Sequence, residues 1–195
     1  MNGVITELRG DRTGALVTTN AHGFYSESVS QGAVMECSTA VAGVAPGTAL
    51  STTPPYFLWN PPASGKNLIV LKTAMGFVSG TLGGGSILMA AVTAQMTVPT
   101  GGTELTPVAT LIGAPRGVGR VFQASTVAST PTILRPIFSI GAFTGTTAQV
   151  PVDTVDVIDG SIVIPPGSGI CLQGLASAGT SPLVIFSMMW EEVPA

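Results

Sequence analysis

Charge is what this chain has least of. Ten acidic and seven basic residues make up 9% of its 195 positions, where a typical soluble domain carries about 25%. A compact monomer of 19.6 kDa would expose roughly 8,600 Å² by the usual surface scaling, so these side chains supply only about one charge per 500 Å². Freely soluble monomers carry more, because charge suppresses association. The deficit predicts that other chains cover much of the surface. The seven basic residues are scattered and the net charge is −3, which leaves no electropositive footprint for nucleic acid.

Histidine is nearly absent too. His22 stands alone, so neither a histidine-rich metal site nor a Ser-His-carboxylate triad is expected. Two cysteines, Cys37 and Cys171, lie far apart without a CxxC pattern; buried free thiols are the expectation, with a disulfide left open. Long apolar runs are missing. The segments 73–103 and 160–190 carry no charge, but glycine, proline, glutamine and hydroxyl residues interrupt both. Neither offers about 20 predominantly apolar residues for a membrane helix. The opening MNGVITELRGDRTG lacks the apolar core of a signal peptide and carries charges of both signs.

The motifs that suggest chemistry fail on spacing. SGKN at 64–67 has the Gly-Lys pair of a phosphate-binding loop, but Asn60 stands where the first glycine belongs and Asn67 where the Ser/Thr belongs. It also precedes an apolar run, whereas such a loop follows a strand; a turn opening a strand is expected, with Lys66 solvated. PPGSGI sets Gly167 directly before Ser168, which breaks the G-x-S-x-G elbow. GAPRGVGR lacks the third glycine of a dinucleotide fingerprint. Asp153, Asp156 and Asp159 recur every third residue without the EF-hand pattern. On a strand, Asp153 and Asp159 would share one face and Asp156 the other; a solvated edge is expected there. Glu191 and Glu192, adjacent on a strand, project to opposite sides and form no acid/base pair. The reading is therefore of a non-enzyme without metal or cofactor.

What is abundant is the material of short strands and turns: 24 threonines, 16 serines, 25 glycines and 15 prolines. NLIVLKTAMGFV, SILMAAVTAQMTV, PVATLIGA, RVFQAST, TILRPIFSIG, AQVPVDTVDVI, GSIVI, GICLQGLAS and PLVIFSMMW are rich in β-branched and large apolar residues. Between them stand GTLGGG, PTGGTE, GAPRGVG, DG, PPGSG and SAGTSP, which are turn chemistry. The fold class predicted is all-β, a jelly-roll-like β-sandwich over 51–195 preceded by an extended N-terminal arm or peripheral strands over 1–50. In PLVIFSMMWEE, Val184, Phe186, Met188 and Trp190 fall on one face, and Leu183, Ile185, Ser187 and Met189 on the other. Two largely apolar faces predict a strand covered on both sides. One face meets the core and the other a neighbouring subunit, so Leu183, Ile185 and Met189 are candidate subunit-interface residues; Trp190, on the first face, is expected in the core or at a subunit interface and is counted with them. Phe57 and Trp59 are expected to cap the core.

The segments LRGDRTGALVTTNAHGFYSESVSQGAV, LWNPPASGKNLIVLK, DGSIVIPPGSGICLQ and AGTSPLVIFSMMWEEVP span most of the chain, and together they resemble small virion-associated proteins of tailed bacteriophages. The resemblance implies a jelly-roll homotrimer that decorates the capsid exterior, a cement protein bound to the major capsid protein. It would be made in the host cytoplasm and located on the virion, with no nucleic-acid or membrane partner. Head fibres, tail fibres and receptor-binding spikes share such architectures and form the alternative. On this reading the arm lies along the capsid, with Arg9, Arg12, His22, Phe24 and Tyr25 as capsid-contact anchors, because arginine and aromatic residues concentrate interface energy. Phe24 and Tyr25 packing back on their own sandwich is the competing expectation.

Overall fold

The computed structural model describes residues 23–140, 154–177 and 179–195. Among the described residues the one helix is the short α1 (Ser26–Ser30), without a side-chain cap at its N-terminus. The strands are β1 (Val34–Ser38), β2 (Tyr56–Asn60), β3 (Lys66–Ser79), β4 (Gly85–Val92), β5 (Thr103–Leu105) and β6 (Val108–Ala109). They continue with β7 (Arg120–Gln123), β8 (Thr132–Ile140), β9 (Thr154–Ile164), β10 (Ser168–Leu175) and β11 (Leu183–Pro194). All pairings are antiparallel, in two sheets ordered β6-β1-β11-β3-β9 and β5-β7-β2-β10-β4-β8. The sheets stack as a sandwich, which agrees with the all-β class.

Strand alternation builds the core. Val184, Phe186, Met188 and Trp190 of β11 are fully buried between the sheets. They pack in a cluster with Leu68 and Val70 of β3, Tyr56 and Leu58 of β2, Ile170 and Leu172 of β10, and Met89 of β4. Tyr56 donates its hydroxyl to the Cys37 carbonyl at 3.1 Å, tying the six-stranded sheet to β1.

A second apolar layer lies on the outer side of the six-stranded sheet. Phe57 and Trp59 do not cap the main core; with Ala90, Val92, Phe122, Val127 and Cys171 they form a separate cluster. Irregular segments cover it and are held by side-chain bonds. The Trp59 indole donates to the Gln95 carbonyl at 2.8 Å, Gln95 accepts from Ala128 N at 2.6 Å, and Gln173 accepts from Ser51 N at 3.0 Å. That cover explains why every residue of β2 is buried.

The SGKN segment is the turn that its spacing suggested. Ser64 N donates to the Pro61 carbonyl, Gly65 takes a positive φ of 65°, and Lys66 N donates to Ser64 Oγ. Asn60 closes the turn by donating to the carbonyls of Lys66 and Ile164 at 2.7 and 2.8 Å.

Three expectations are corrected. Residues 34–38 are no arm or peripheral strand: β1 sits inside the five-stranded sheet between β6 and β11, with Val34, Met35 and Cys37 buried. Residues 34–38 and the Val44–Val184 bridge thus tie segment 1–50 into the sandwich through β11. DG does not separate two strands. Asp159 and Gly160, with φ of 46° and 80°, form a bulge within β9, which pairs with β3 on both sides of it. PVATLIGA contributes only the two-residue β6, followed by a turn.

Candidate interaction surface

Two edge strands lie along one side of the sandwich. β8 pairs only with β4 and β9 only with β3 among the described residues. Arg135 of β8 reaches across to the Asp156 carboxylate of β9, with contacts of 2.5 Å to both oxygens. This ion pair joins the two sheets at their open seam. Beside it a groove of about 700 Å³ runs along the seam, lined by Leu134, Ile162, Val163, Ile164, Pro165 and Ile170 among others. Arg135 is its one charged lining residue.

β9 also borders the outer face of the five-stranded sheet. Register places Val155 beside Ala74, Ser187 and Ser38, Val157 beside Lys72, Met189 and Glu36, and Val163 beside Ile69 and Glu191. Val155, Val157 and Val163 are exposed, and β9 thus turns three valines to the outside.

Leu183, Ile185 and Met189 lie on the outward phase of β11 and are half-buried. Trp190 corrects the expectation. It belongs to the inward phase, is fully buried, and donates its indole N–H to Glu192 Oε1 at 3.3 Å, so it is a core residue and no interface residue. Arg9, Arg12 and His22 lie outside the described residues. Tyr25 packs back on its own sandwich and Phe24 does not. Tyr25 donates its hydroxyl to Asp159, and Lys72 Nζ sits 5.3 Å from its ring centroid. Phe24, edge-on to Tyr25, is 76% exposed. Asp156 faces Arg135 instead of solvent, and Asp153 lies outside the described residues.

Sequence reading missed a buried carboxylate. Glu192 follows the inward phase of β11 and is 4% exposed. It accepts from Val118 N and Gly119 N, both at 2.9 Å, and from the Trp190 indole, while Lys66 Nζ lies 3.4 Å away. Gly117 passes so close that a Cβ there would collide with the carboxylate. Lys66, expected to be solvated, is half of this pair. Glu192 thus anchors the 117–119 segment; every ligand to it is a protein group, and the arrangement is a clasp. On the neighbouring surface, Arg120 holds Glu104 with two bonds of 2.7 Å and lies over the rings of Trp59 and Phe122. Those hydrogen bonds hold the Glu104 carboxyl below its ordinary range.

Cys37 and Cys171 are buried and unpaired, in different sheets. Burial pushes both thiols up to about 12. Among the described residues no group of three or more His, Cys, Asp or Glu side chains is placed to hold a metal ion. No described helix is long and apolar enough to cross a membrane. The chain matches no family model, no curated protein and no solved structure.

Proposed function

We propose that this chain is a structural subunit of a tailed-phage virion, a trimeric decoration protein that binds the major capsid protein on the head exterior and stabilises the lattice. The observation that carries the reading is the pairing of a charge-poor surface with outward apolar residues on the five-stranded sheet: Val155, Val157 and Val163 on β9, with Leu183, Ile185 and Met189 on β11. These residues share the face with Lys72, Glu36 and Glu191, and so many outward apolar side chains suit it to a neighbouring subunit. A trimer is the closed symmetry that fits the threefold and quasi-threefold positions of a capsid lattice. Resisting internal pressure takes buried area and bridging contacts, and no active site. Phe24 is exposed at the start of the described residues; with Arg9, Arg12 and His22 it forms the proposed capsid contact.

The test is the copy number of this chain relative to the major capsid protein in purified particles, by quantitative mass spectrometry. On the order of one copy per capsid subunit is expected. A handful of copies per particle would overturn the lattice role and point to a tail or vertex fibre that binds a host receptor.

A further inference from the structure

The Asp-Gly bulge of β9 is larger than a single extra residue. Val70 and Lys72 of β3 pair with Ile162 and Val157, so residues 158–161 stand opposite Leu71 alone. Ile158 turns into the core, and Ser161 donates its hydroxyl to the Ile158 carbonyl at 2.9 Å, which closes the excursion on itself. Asp159, exposed, takes its positive φ of 46° within it. A bulge re-aims a side chain, and non-glycine backbone held at positive φ recurs at clamps and switch regions. Here the Asp159 carboxylate accepts the hydroxyl of Tyr25, 134 positions away in the chain.

Tyr25 is gripped twice. Lys72, paired in register with Val157 just before the bulge, places its ammonium 5.3 Å from the centre of the Tyr25 ring. The cation meets the π face and the carboxylate meets the hydroxyl, and tyrosine offers both in one side chain. The segment so held has few other ties. α1 spans five residues, has no side-chain cap and buries none of them, whereas an isolated helix needs about 12–15 residues to be even marginally stable. Among the described residues, residues 23–33 make two hydrogen bonds to the rest of the chain. One is Tyr25 to Asp159; the other, at the far end, is Glu192 N to the Ala33 carbonyl at 2.9 Å.

We propose that Lys72 and the Asp159 bulge form an intramolecular docking site for the Tyr25 side chain, a clip that closes residues 23–33 onto the β3–β9 side of the five-stranded sheet. Opening the clip frees α1 and leaves the sandwich intact, since neither core cluster includes any of residues 23–33. The closed clip also fixes Phe24, whose ring stands edge-on to Tyr25 with 5.0 Å between centroids. An exposed aromatic side chain held in one place loses less conformational entropy on docking. The use of Phe24 in a head contact rests on the decoration reading; the clip itself does not.

Cleavage of the native full-length chain after Glu27, exposed within α1, by a glutamyl endopeptidase reads the clip, because slow cleavage tracks the open population when closing is fast. Tyr25→Phe removes the hydroxyl alone and is expected to speed this cleavage about fivefold, the equivalent of one hydrogen bond. Asp159→Gly keeps the positive φ but removes the carboxylate, and is expected to give a similar increase. The double variant is expected to be no faster than either single one. Lys72→Met is expected to give a smaller rise of about threefold. The urea midpoint of Tyr25→Phe is expected to match wild type. Unchanged cleavage in Tyr25→Phe and Asp159→Gly overturns the clip, as does a double variant as fast as the product of the two effects. A fall in the Tyr25→Phe urea midpoint that accounts for the faster cleavage overturns a clip that opens by itself. Binding of Tyr25→Phe to purified heads is read separately. Weaker binding supports Phe24 as a capsid anchor, whereas faster cleavage with unchanged head binding keeps the clip and overturns the place of Phe24 in the capsid contact.

Discussion

Glu192 illustrates how one residue can matter more than its composition class suggests. Its carboxylate satisfies two backbone amides and an indole and lies beside Lys66. Removing it leaves buried donors unmade, at about 1–3 kcal/mol for each group left unsatisfied. Glu192→Ala is therefore expected to lower unfolding stability by about 2–4 kcal/mol, read as a shift in urea midpoint, with Glu192→Gln recovering part of the loss. The exposed Glu104–Arg120 pair is a contrast, for solvent screening holds such pairs to about 1 kcal/mol or less. Because the folded state lowers the Glu104 pKa, the pair's contribution is present above the unfolded value of 4.5 and lost as pH falls through the folded one. Glu104→Gln is expected to melt slightly below wild type at pH 7, with the difference closing as pH falls below 4.5 and through the folded value. The two thiols, protonated and buried, are expected to resist a thiol reagent at pH 8 and to react fully in denaturant. Rapid labelling of the folded chain would contradict their placement.

β11 is the element in which alternation and burial agree most closely. Its inward residues are fully buried and its outward ones half-buried, so substitutions should separate by phase. Phe186→Ala opens a cavity between the sheets and is expected to cost about 3–5 kcal/mol in chemical denaturation. Ile185→Ser, one residue away, is expected to cost about 1 kcal/mol or less in the monomer and instead to weaken self-association in sedimentation. The two phases of β11 were legible from a period of two, as was the separation of Glu191 from Glu192. Which phase faces inward was not, since both phases are largely apolar, and Trp190 read equally well as a core or an interface residue. The DG bulge in β9 was hidden for a related reason. Asp-Gly favours positive φ in a hairpin turn and in a bulge alike, and only pairing with β3 on both sides distinguishes them.

For the whole molecule, scarcity of charge sets the expected behaviour. An interface with few ions releases few counterions, so under the proposed decoration role binding to heads is expected to change little between low and moderate salt, measured as bound copies per particle. A steep fall with salt would mean that the contact is ionic, and would undercut the apolar faces as its basis. The sequence by itself determined the all-β class, the strand-and-turn alternation and the low charge, because these follow from local periodicity, turn residues and counts. It also determined that SGKN is a turn, since a phosphate loop needs glycine and hydroxyl residues at positions held by Asn60 and Asn67. Tertiary structure decided what depends on distant partners: that β1 lies inside a sheet, that Trp190 and Glu192 point inward, and that Phe57 and Trp59 form a second layer. It alone brought Tyr25 to Asp159 and Lys72. Strand pairing joins residues more than a hundred positions apart, and no short window of sequence records which strands will meet.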